Sequence, residues 1–96
     1  MQPIIEAIIL IIEKYIRDNE QNINGFIDGN SVVLKFRKDG KIFKRLKIEQ
    51  EDEKIKVTFL KENIIKFVDI DGLNDILNIL ENECDKNTVG GKNRDE

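Results

Sequence analysis

The chain has 96 residues, of which 40% are hydrophobic and 36% charged, with a formal net charge of −3 and a pI near 5.1. That length suits one domain with a small core, and that hydrophobicity excludes a disordered chain. The acidic balance argues against a surface that is basic overall, as a general phosphate binder needs, and leaves room only for a local basic patch.

Absent residue types narrow the chemistry. With no His and one Cys, neither the usual zinc ligand sets nor an internal disulfide can be assembled, and a Ser or Cys nucleophile lacks its commonest general base. No paired-carboxylate spacing or phosphate loop stands out, so no enzyme, cofactor or metal site is expected. Cys84 is expected to be an inert free thiol, flanked as it is by Glu83 and Asp85, and it suits a reducing, cytoplasmic compartment. The apolar N-terminal run has no Lys or Arg before it, and Glu6 and Glu13 bracket its longest stretch, so neither a signal peptide nor a membrane span is expected. Abundant Ile, Lys and Asn beside scarce Met, Cys, His and Trp fit an AT-rich genome and a thermophile.

From Pro3 to about Arg17 the spacing predicts a helix. Pro3 suits a first turn, and Glu13 and Arg17 can pair four residues apart. Its apolar residues, among them Ile4, Ile5, Ile8, Ile9, Ile12, Tyr15 and Ile16, spread over an arc of roughly 200°, about twice what one sheet contact requires. A second helix or a second subunit should cover the excess. After a polar loop, Ile23, Phe26 and Ile27 ahead of Asp28-Gly29-Asn30 suggest a short additional strand.

Val32, Leu34 and Phe36 then alternate with Val33, Lys35 and Arg37, and Lys38-Asp39-Gly40 separates them from Ile42, Leu46 and Ile48, which predicts a hairpin. A three-residue loop with Gly40 left-handed would pair Phe36 with Ile42, Leu34 with Lys44 and Val32 with Leu46. Past the acidic loop Gln50 to Glu53, Ile55, Val57 and Phe59 form a third core strand. A three-residue loop ending in a left-handed Asn63 would bring Ile65 and Phe67 of the last strand, Ile64 to Ile70, onto the core face. Asp71 reads as the N-cap of a final helix in which Leu73, Ile76, Leu77, Leu80 and Cys84 form one stripe. The fold class expected is α+β: an N-terminal helix, an antiparallel meander of four strands, or five with Ile23–Ile27, and a C-terminal helix. Residues 1–84 form the expected domain and 85–96 a flexible tail.

Two candidate surfaces follow from this phasing. The sheet face turned away from the helices should carry Lys35, Arg37, Lys41, Phe43, Arg45 and Lys47, cations with an aromatic among them, as single-stranded nucleic-acid binders use. The simpler account of those residues is a solvated face rich in Lys. The second surface combines Ile4, Ile5, Ile9, Ile12 and Ile16 of the first helix with Leu60, Ile64, Val68 and Ile70, which the expected register leaves facing outward. It suggests a homo-oligomer or a protein partner, and this interaction role is the function expected first, with nucleic-acid binding as the alternative and no membrane involvement. Asp69, Asp71, Gly72 and Asp75 resemble a fragment of a calcium loop, yet Phe67 and Leu73 stand where oxygen ligands are needed, so helix capping accounts for them better.

Overall fold

A computed structural model describes residues 4–84; residues 1–3 and 85–96 and the side chains of Ile4 and Ile5 lie outside that description. The expectations for Pro3, for the tail and for Ile4 and Ile5 at an interface therefore fall outside it as well.

The elements run α1 (Ile4–Asp18), β1 (Ile23–Asp28), β2 (Ser31–Lys38), β3 (Lys41–Glu51), β4 (Lys54–Phe59), β5 (Ile64–Val68) and α2 (Ile70–Glu83). The strands form one antiparallel meander in the order β1-β2-β3-β4-β5. Ile23–Ile27 does supply a fifth strand. Both helices pack on one face, where Leu34, Phe36, Leu46, Ile48, Ile55 and Val57 are buried against Ile8 and Ile12 of α1 and Leu73 and Leu77 of α2.

The wide apolar arc of α1 is explained by a second helix, because α1 packs on the sheet and on α2 together. Ile8, Ile12 and Tyr15 are buried while Ile9, Ile11 and Ile16 lie half-buried against the core. The two helices are also tied by polar contacts: the Tyr15 hydroxyl donates to Asn74 Oδ1 at 3.0 Å, and Asn19 Nδ2 to Glu81 Oε2 at 2.7 Å. Burial, helped by the nearby Glu81 and Asp75 carboxylates, raises the Tyr15 pKa. At Gly25 the helix comes so close to β1 that a Cβ would stand 2.8 Å from Ile16 Cδ1 and 2.7 Å from Leu34 Cδ2.

The first hairpin differs from its expected pairing. Asp39 and Gly40 are both left-handed, at φ 56° and 75°, and make a two-residue turn that sets Lys38 opposite Lys41 and Arg37 opposite Ile42. Continued, that register would put charged residues in the core. An irregularity between Phe36 and Arg37 instead adds one residue to β3, so Phe36 faces Lys44, Leu34 faces Leu46 and Val32 faces Ile48. Lys44 reaches the rim of the core side, where its ammonium donates to Glu62 Oε2 at 2.7 Å and lies 5.7 Å from the Phe59 ring centroid. That bond holds the Glu62 carboxyl below its ordinary pKa.

The last hairpin overturns a second expectation. Asn63 is left-handed at φ 62°, as foreseen, but Phe59 pairs with Ile64, so the loop contains four residues, Leu60 to Asn63. One extra loop residue exchanges the two faces of β5: Ile64, Lys66 and Val68 lie on the helix side, and Ile65 and Phe67 on the open side. The N-cap of α2 is also displaced. Asp69, not Asp71, accepts the Gly72 N–H, at 2.8 Å.

Candidate interaction surfaces

Among the described residues no group of His, Cys, Asp and Glu could hold a metal ion, and no helix is long and apolar enough to cross a membrane. Cys84 is buried at the end of the α2 stripe and is in no disulfide. What the fold does present is a set of three surfaces.

The first is the free edge of the sheet at β5. Leu60, Ile64, Ile65 and Phe67 are 43–52% exposed, and the only charged side chain of the strand is Lys66. No described strand pairs with the outer edge of β5, an unusual place for large half-exposed apolar residues, because open N–H and C=O groups are a template for another strand. Of the expected interface positions, Leu60 and Ile64 belong to this patch. Ile12 does not, since it is 2% exposed in the core, and Ile9, Ile16, Val68 and Ile70 pack against the core as well. Ile65 and Phe67 take their place, having been assigned to the interior by a loop counted one residue too short.

A second apolar surface lies at the opposite edge. Between α1 and β1 runs a groove of about 290 Å³ lined by Ile9, Ile12, Ile16, Phe26, Ile27 and Val32, with the Glu13 carboxylate on its wall. Gly25 floors it, and Phe26 and Ile27 are more than half exposed beside it.

The open sheet face is the third. Lys35, Arg37, Arg45 and Lys47 stand on it together, with Lys35 directly opposite Arg45. Lys41 and Phe43 leave it: the two-residue turn places Lys41 opposite Lys38, and Phe43, the extra residue of β3, packs against the core cluster. Phe26 is the aromatic that the face gains, with the Lys35 ammonium 5.7 Å from its ring centroid. Arg37 donates to Asn24 Oδ1 on β1. Toward the other end of the face Glu49 lies opposite Lys56 and Glu51 opposite Lys54. There Glu49 stands 3.9 Å from Lys47 and 4.0 Å from Lys56, and Lys56 is 3.8 Å from Glu51.

No protein-family model, curated protein or solved structure matches this chain. Function must therefore be argued from these surfaces.

Proposed function

We propose that this chain is a non-catalytic assembly protein that associates with a second copy of itself along the exposed edge of β5. The observation that carries this reading is the half-exposed cluster of Leu60, Ile64, Ile65 and Phe67 on a strand whose outer edge no other described strand pairs. Edge strands that must stay solitary are normally short, charged or covered, and β5 has a single Lys to discourage pairing.

Magnitudes decide what kind of association to expect. Fully burying such a side chain contributes about 1.5–3 kcal/mol, so half of that for eight side chains across a two-fold pair gives about 8 kcal/mol. Strand pairing adds about 1 kcal/mol net for each ladder hydrogen bond. Loss of translational and rotational freedom opposes these terms by several kcal/mol or more. A dimer in the micromolar range results, on the order of 1–100 µM.

Sedimentation velocity across that range tests the reading. Native chain should shift from monomer to dimer with concentration, and Ile65→Gln combined with Phe67→Gln should hold it as a folded monomer, since neither side chain contributes to the core. A native chain that sediments as a monomer at every concentration removes the proposal.

A further inference from the structure

We propose that the β2–β3 half of the open sheet face binds single-stranded nucleic acid, with Lys35, Arg37, Arg45 and Lys47 meeting phosphates and Phe26 stacking a base. The two halves of the open sheet face are charged in contrasting ways. Where β3 meets β4, charges alternate in sign across the strands, Glu49 against Lys56 and Glu51 against Lys54, as a solvated face should be arranged. Where β2 meets β3 the rule is reversed, with Lys35 directly opposite Arg45. Like charges directly across a ladder destabilise the sheet. A face whose Lys residues served only solubility would have no reason to accept that cost on one half and avoid it on the other. A bound polyanion removes it.

The occupant follows from shape and from Phe26. A flat sheet face cannot enter a duplex groove, which takes a helix or a narrow ribbon, but it can support an extended strand with splayed bases. An acidic peptide would satisfy the cations equally well and leave the half-exposed Phe26 ring without a use, whereas every base has a face to stack on it. Glu49 stands 3.9 Å from Lys47 at the margin of this half, but the net charge of −3 does not oppose the proposal, because the other acidic residues of that run, Glu51 to Glu53, lie at the far end of the sheet and more lie along α2.

The test is fluorescence anisotropy of the full chain with a labelled oligouridine of about 15 nucleotides, against heparin and a DNA duplex, from about 50 mM salt upward. Binding should weaken with salt at a logarithmic slope of about −0.7 for each phosphate engaged. Phe26→Leu should weaken oligouridine binding about tenfold and leave that slope unchanged. Arg45→Glu should abolish binding while raising the melting temperature by about 1–5 °C, because it turns the Lys35 pair from like to opposite charge. A lowered melting temperature for Arg45→Glu overturns the argument from the ladder. The proposal is equally overturned by absence of binding at the lowest salt, or by heparin and duplex binding as tightly as oligouridine with Phe26→Leu inert.

Discussion

If β5 pairs with β5 of a second copy, its sequence selects one register, and Lys66 exposes which. A two-fold antiparallel pair must keep Ile65 and Phe67 on the open side of both copies, so it can be centred only on Ile65, Lys66 or Phe67. Centring on Lys66 pairs all five residues, Ile64 with Val68 and Ile65 with Phe67, whereas the other two centres leave three strand residues facing three. The shorter overlaps forfeit at least two ladder hydrogen bonds at about 1 kcal/mol each. Against this, the Lys66 centre sets like charges opposite each other in solvent, at a cost of about 0.2–1 kcal/mol. It also brings Lys61 of each loop toward Asp69 and Asp71 at the start of the other copy's α2. The Lys66 centre wins. Lys66→Cys in a Cys84→Ala background should thus form an intermolecular disulfide on mild oxidation, read by non-reducing electrophoresis, and Ile65→Cys and Phe67→Cys should not. Lys66→Thr should tighten the dimer up to about fivefold in sedimentation. Efficient crosslinking at Ile65 or Phe67 with none at Lys66 refutes the register while leaving the β5 interface standing; a monomer refutes the interface itself.

Two further outcomes follow from the packing. Gly25→Ala puts a methyl 2.7 Å from Leu34 Cδ2 and 2.8 Å from Ile16 Cδ1, so urea unfolding should show a loss of about 1–3 kcal/mol; an unchanged midpoint would mean that α1 does not press on β1 there. The Glu62 carboxyl, held below its ordinary pKa by the Lys44 hydrogen bond, binds its proton less readily folded than unfolded. Its contribution is therefore present above the unfolded pKa and lost as pH falls through the folded one. A carboxyl NMR titration should give a midpoint below that of an ordinary glutamate, and Lys44→Ala should move it up; a midpoint indifferent to Lys44 contradicts the assignment.

Much of the architecture was written in local pattern. The alternation of Ile55, Val57 and Phe59 with Lys56 and Thr58 is legible because period two admits a single reading, and in β2 Lys35 and Arg37 fix the phase although Val33 on the open face is buried too. The Leu73, Leu77, Leu80 stripe is legible for the same reason at helical period. Four of the six residues expected on the basic face were readable with them: Lys35, Arg37, Arg45 and Lys47 share the face their parity assigns. Phe43 and Lys41 were not readable, because the extra residue of β3 reconciles the two-residue Asp39-Gly40 turn with the pairing of Leu34 with Leu46 and Val32 with Ile48, and no single strand carries that constraint.

The amino-acid order by itself thus determined the sequence of elements, which side chains could be core, and the left-handed turn positions at Gly40 and Asn63. Tertiary structure alone decided whether Ile65 and Phe67 or Ile64 and Val68 face the helices, and whether α1 spends its apolar arc on α2 or on a partner. The physical reason is parity: one residue more or less in a loop hardly changes its local energy, yet it turns every side chain of the following strand to the other face, and only packing of the whole sheet against both helices selects between the two.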